Sequence, residues 1–154
     1  MKLTDLSFSY NGQQYVGFDF SALPLEVAKL AANAQIDQAA DVARLAVLGD
    51  PLRALEYQTA ADEAKVFAAA NYVGAVPPSV QAWMDAARLE AQAATDGILA
   101  EASAWQGAMY AIRAERLKGK QAVLQATSHK EIEALADIAM TDVRDCIVGV
   151  GNAA

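Results

Sequence analysis

The sequence predicts a mainly α-helical, alanine-rich bundle with long helices and a small N-terminal β-hairpin. Three observations predict it. Alanine makes up close to a quarter of the 154 residues, and alanine both favours helix and lets helices approach closely. Small and apolar residues recur at alternating steps of four and three through Ala91, Thr95, Ile98, Ala102, Trp105, Met109 and Ile112, which draws one narrow stripe along a helix. The first twenty residues alone switch to a period of two, with Leu6 and Phe8, then Val16, Phe18 and Phe20, set around Asn11-Gly12.

Residues 1–22 form the hairpin, a docking element. Asn-Gly is a strong turn signal between alternating segments. A two-residue Asn11-Gly12 loop pairs Ser7 with Val16 and sends the two apolar sets to opposite faces. A three-residue loop, Tyr10-Asn11-Gly12 with Gly12 left-handed, pairs Leu6 with Val16 and gathers all five apolar residues on one face. The second register is preferred. A lone hairpin is marginal in water, so that face must be covered.

Residues 23–48 are an alanine-rich helix entered through Ser21-Ala22-Leu23-Pro24, with Pro24 suited to a first turn. Its larger apolar residues, Val27, Leu30, Ile36, Val42, Leu45 and Leu48, are spaced too loosely to identify a buried face. Residues 49–154 form a helical module. Gly49 closes the preceding helix, and Asp50-Pro51 is an N-cap followed by a proline at the first helical position. The helix it opens runs to about Asn71 and offers Leu52, Leu55, Ala64 and Phe67 to a core. Gly74 and Pro77-Pro78 break the chain, and Ser79 can cap a further helix.

Arg88-Leu89-Glu90 carries no breaker before the long stretch from Ala91 to Ala126. A helix of about 30 residues there would be ~45 Å long and would need partners along its length. Beyond Ile112 a strict heptad puts Arg116 and Gly119 on the seam, so the apolar stripe is expected to drift to Leu117, Val123 and Leu124. Ser128-His129-Lys130-Glu131 is a capping box. It opens a last helix with Ile132, Leu135, Ala139, Val143, Cys146 and Val150 on one side, loosened at its end by Gly149 and Gly151.

Composition limits the function classes. A net charge of -7 and a pI near 4.6 argue against wrapping nucleic acid. Arg113, Arg116, Lys118 and Lys120 form a local exception, expected to be a solvated face where cations suit a helix C-terminus, or less plainly a small anionic partner surface. One cysteine excludes an internal disulfide. No signal peptide and no apolar run near ~18 residues is visible, which points to a soluble protein made in a cytoplasm, with no membrane partner. Because alanine supplies little burial per residue, a monomeric core is thin, and a homo-oligomer is expected.

No catalytic, cofactor-binding or metal-binding residue emerges. His129, the sole histidine, is expected to be an exposed helix-start residue. Cys146 lies on the apolar side of the last helix as a small buried hydrophobe. One His and one Cys cannot assemble a soft metal cluster. There is no glycine-rich dinucleotide or phosphate-binding motif, and Asp62-Glu63 has no partner at di-metal spacing. Trp83 and Trp105 are the informative residues, as core anchors between alanine-rich helices or as hot spots for another subunit.

One resemblance is carried by Gly49-Asp50-Pro51, Glu56-Tyr57, Tyr72, Gly74, Val76-Pro77-Pro78-Ser79-Val80 and Trp83. It continues through Ile98, Trp105, Ile112-Arg113 and Arg116-Leu117, covering roughly residues 40 to 125. This pattern resembles a module of small tail and tail-fibre-associated structural proteins of bacteriophages and prophages. Such relatives would carry a threonine-capped break where this chain has Leu89-Glu90-Ala91, so that break is expected to be softened. The resemblance implies a structural or assembly protein of the virion tail that binds fibre or baseplate proteins through helical packing, made in the host cytoplasm. The alternative is a non-virion fibre-assembly chaperone or host-directed binding protein. No catalytic residues come with the resemblance.

Overall fold

A computed structural model describes residues 1–150, with the side chains of Leu48 and Pro51 outside the described set. Gly151 also lies outside it. Helical residues make up 72% of those described, nearly all of them in five α-helices, so helix packing decides the architecture, and a two-stranded antiparallel hairpin precedes them. The helices are α1 (Leu25–Leu48), α2 (Pro51–Ala69), α3 (Pro78–Ala87), α4 (Ala91–Gln125) and α5 (His129–Asp145). They build two compact units, one from Met1–Arg44 with Met109–Val148, the other on Leu45–Ala108.

The hairpin of the first unit pairs β1 (Leu6–Tyr10) with β2 (Gln13–Phe18). Its loop is the two-residue one, because Tyr10 pairs with Gln13 and both Asn11 (φ 49°) and Gly12 (φ 78°) are left-handed, as a type I′ turn requires. This corrects the preferred three-residue register. The phase problem is solved within β2 by a bulge: Phe8 faces Tyr15, but Leu6 faces Phe18, with Gly17 at φ 70° in the irregular step. Tyr15 is therefore the buried residue, whereas Val16 is 71% exposed. The inner face is covered by the chain's own helices: Leu6, Tyr15, Phe20 and Leu23 share a core with Val27 and Ile36 of α1 and Ile132 and Met140 of α5.

Around that end, backbone and side chains fasten the N-terminus. The Phe20 N–H donates to the Leu3 carbonyl at 2.7 Å. The Lys2 N–H donates to Gln35 Oε1 at 2.6 Å while Gln35 Nε2 donates to the Lys2 carbonyl at 3.0 Å. The Met1 amine pairs with Asp137 of α5.

In α1 alanines rather than large residues fill much of the interior. Ala28, Ala31, Ala32, Ala40 and Ala43 are buried beside Val27, Ile36 and Val47, while Val42 and Leu45 are about three-fifths exposed. The face is chosen by how closely helices approach, which small side chains permit. Farther along, Ala40 and Ala43 pack with Ile112 of α4 and Val143 of α5.

The stripe on α4 does not drift. Ile112, Gly119, Val123 and Ala126 are all buried, Arg116 is half-buried, and Leu117 and Leu124 are more than 40% exposed. The alternation of four and three thus continues through an arginine and a glycine: Val123 is buried as expected, and Leu117 and Leu124 are not. A β-carbon on Gly119 would overlap the Ala139 β-carbon and lie 3.7 Å from Ile36 Cδ1, so the glycine is where α4 and α5 touch backbone to side chain.

In the second unit Asp50 caps α2 by accepting the Leu52 N–H at 2.7 Å, with Pro51 following as foreseen. Ala61, Ala64 and Phe67 are buried, but Leu52 and Leu55 are 77% and 65% exposed, so they do not enter the core as expected. After α2, Asn71 and Tyr72 turn left-handed. Tyr72 lies edge-on to Phe67 and donates its hydroxyl to Asp96 at 2.7 Å.

Helix α3 begins at Pro78 with Pro77 as N-cap, so Ser79 is not the cap. Instead the Glu63 carboxylate of α2 accepts the Ser79 N–H at 2.9 Å, placing negative charge at a helix start. The break before α4 is complete. Arg88 adopts a left-handed conformation, and the Arg88 and Leu89 N–H groups both point to the Met84 carbonyl, a helix-ending geometry that needs no glycine here. Ala64, Val80 and Ala94 form the core between α2, α3 and α4, flanked by Trp83, Met84, Ile98 and Leu99.

Candidate functional site

The side chains singled out from sequence are spread over both units, and each has a packing role. Trp105 is half-buried on α4 and meets Tyr57 of α2 edge-on, ring centroids 4.8 Å apart. Its indole Nε1 is buried without a hydrogen-bond partner among the described residues, so the ring holds its place by contact alone. Trp83 is half-buried too, with its Nε1 3.6 Å from where a Gly97 β-carbon would stand. The α3 indole therefore lies against α4 at Gly97, at a distance that a β-carbon would meet as ordinary contact.

His129 is not an exposed helix-start residue. Its Nε2 lies 2.8 Å from the Leu23 carbonyl, and its ring meets Phe20 edge-on at 5.7 Å. It ties the strand-to-α1 connection to the start of α5. The capping box forms beside it, with Ser128 Oγ accepting the Glu131 N–H at 3.2 Å. The Glu131 carboxylate accepts the Thr127 N–H at 2.8 Å and the Thr127 hydroxyl at 3.1 Å. Those two bonds hold the Glu131 carboxyl below its ordinary range.

Cys146 is half-buried and gives its thiol proton to the Asp142 carbonyl at 3.1 Å. Burial, then the charges of Glu115, Asp142 and Asp145, push the thiol up, which disfavours the nucleophilic thiolate. Asp62 accepts bonds from Gln58 and Lys65 on its own helix, and its neighbour Glu63 caps α3. Among the described residues no three His, Cys, Asp or Glu side chains gather as a metal site. No described helix is long and apolar enough to cross a membrane.

The basic run is the largest revision. Arg116 Nη1 and Lys120 Nζ both bond Asp37 of α1, at 2.8 and 2.5 Å. Burial raises the Asp37 carboxyl, but bonds from Lys120 and then Arg116, with their charges, outweigh it and hold the group below its usual range. Lys118 pairs with Glu115 at 2.9 Å, and only Arg113 and Lys118 remain on an exposed face. Two of the four cations therefore join α1 to α4. The heptad had already placed Arg116 on the seam, and an acid on a neighbouring helix was the missing half.

Glu101 carries no signal in the sequence that sets it apart from other acids on helical faces. It is half-buried one turn before Trp105, and desolvation pushes its carboxyl up without any opposing cation. Taken together, these groups can bind helices to helices. Comparison with family models, with characterised proteins and with solved structures finds no match.

Proposed function

We propose that this chain is a structural or assembly protein of a bacteriophage tail, binding fibre or baseplate proteins by helical packing. The supporting geometry is on α2. Its buried side carries Ala61, Ala64 and Phe67, and its opposite side carries Leu52, Leu55 and Val66, which are 77%, 65% and 71% exposed. Those three fall at steps of three and eleven, on one heptad row with Thr59, which suits a neighbouring helix. The address in a tail rests on the resemblance of residues 40 to 125. Mass spectrometry of purified particles tests it: the chain should co-purify in fixed ratio with fibre or baseplate proteins. Its absence from particles, with abundance in the infected cell, would replace this function with that of a non-virion assembly helper.

A further inference from the structure

Glu101 is a partly desolvated carboxylate with no counter-charge among the described residues. Leaving such a group unpaired is costly, and packing normally supplies a cation. The second unit also holds a cation that makes no ion pair among the described residues. Arg53 is exposed on α2, one turn before Tyr57, with its Nη1 near Gly49.

The two groups are related through the aromatic pair. Helices α2 and α4 run antiparallel here, because Ala64 packs with Ala94 while Tyr57 meets Trp105. Arg53 precedes Tyr57 and Glu101 precedes Trp105 by one turn each. Along the helix axes they therefore lie on opposite sides of the ring pair, each displaced by ~6 Å. Within one copy they stand roughly two turns apart and cannot meet. A two-fold axis lying in the plane between two copies stacked on this face, at the level of the rings and perpendicular to the helices, reverses the ends. It brings Arg53 of the partner subunit to the level of Glu101, and the reverse, so one contact is made twice.

We propose that the Tyr57–Trp105 surface is a self-association face on which two copies pack antiparallel, each Arg53 guanidinium pairing with the Glu101 carboxylate of the other copy. The half-buried rings between the two ion pairs are the anchors, since Trp, Tyr and Arg dominate such contacts and a guanidinium stacks on an indole face. The occupant is a second copy because the cation at the matching level belongs to this chain. The inference deepens the assembly function above and rests on it only in taking the chain to act by helix packing.

Sedimentation of the full chain from about 1 to 100 μM tests it. The parent should dimerise, and Glu101→Arg and Arg53→Glu alone should each weaken the dimer by about tenfold or more, with high salt acting in the same direction. The double variant should recover most of the loss. Thermal melts of dilute samples establish that each variant is folded, and Glu101→Gln serves if Glu101→Arg does not fold. A parent that stays monomeric overturns the proposal. So does self-association indifferent to both reversals, or single losses that the double variant does not repair. Presence in particles is decided separately, so an indifferent dimer found in virions removes this face and leaves the tail function standing.

Discussion

Gly119 of α4 and Ala139 of α5 meet so closely that a β-carbon at 119 would overlap that of Ala139. Alanine normally stabilises a helix interior relative to glycine by roughly 0.5–1 kcal/mol. Here the sign reverses, because the added methyl must push α5 away. Gly119→Ala should cost about 1–3 kcal/mol, the usual penalty of overpacking. Gly107, on the same helix with nothing within 4 Å of its would-be β-carbon, is the control. Gly107→Ala should raise the melting temperature while Gly119→Ala lowers it, and equal shifts would remove the close contact.

The same glycine shows how much the sequence carried. The alternation of four and three runs through Arg116 and Gly119, two residues whose hydrophobicity alone points away from a buried seam. Each exception has its own tertiary cause, in an aspartate 79 residues away and in an alanine on α5. The hairpin and its Asn-Gly turn were legible because the signal is local. Its register was not, because the Gly17 bulge answers to the burial of Tyr15 against helices later in the chain. The buried face of α1 was hidden for a related reason: alanine fits where helices come close and leucine does not. Cross-element partners such as Glu63 at the start of α3, or Leu23 opposite His129, leave no mark in a linear pattern.

Asp37 sets an acid limit on the first unit. Its carboxyl lies below the ordinary value in the folded chain, so its contribution is complete above the unfolded pKa near 4 and disappears as pH falls through the folded one. Glu131 is shifted in the same direction and adds to the loss in the same window. Denaturation midpoints should hold steady from about pH 7 to 5 and fall below about pH 4. Asp37→Asn should be less stable by about 1–2 kcal/mol at pH 7, leaving the half-buried Arg116 unpaired, and should show a shallower acid decline. A parallel decline in parent and variant would mean that the bridge does not persist in solution.

His129→Ala removes both the bond to the Leu23 carbonyl and the ring against Phe20. A cost of about 1–2 kcal/mol is expected. Cys146→Ser should stay within about 1 kcal/mol, because a hydroxyl can still donate to the Asp142 carbonyl. Hydrogen exchange separates a local effect from a global one: with His129→Ala, amides of the 3₁₀ turn Phe20–Ala22 and the first turn of α5 should lose protection first. Unchanged protection there would show that the histidine does not fasten the connection.

Trp105 is the sharpest test of the second unit. Its ring packs edge-on against Tyr57 but is only half-buried, so Trp105→Ala should cost about 2–3 kcal/mol, less than the ~3–5 for a fully buried aromatic. Trp105→Phe separates shape from polarity. It keeps a ring beside Tyr57 and deletes the buried Nε1 donor that has no partner among the described residues, so part of the lost contact is returned as relieved desolvation. The phenylalanine variant should therefore melt within about 1 kcal/mol of the parent, well above the alanine variant. Measured at low concentration, that order reports folding alone. If Trp105→Phe falls as far as Trp105→Ala, the indole N–H has a partner in solution and the ring is held by more than contact with Tyr57.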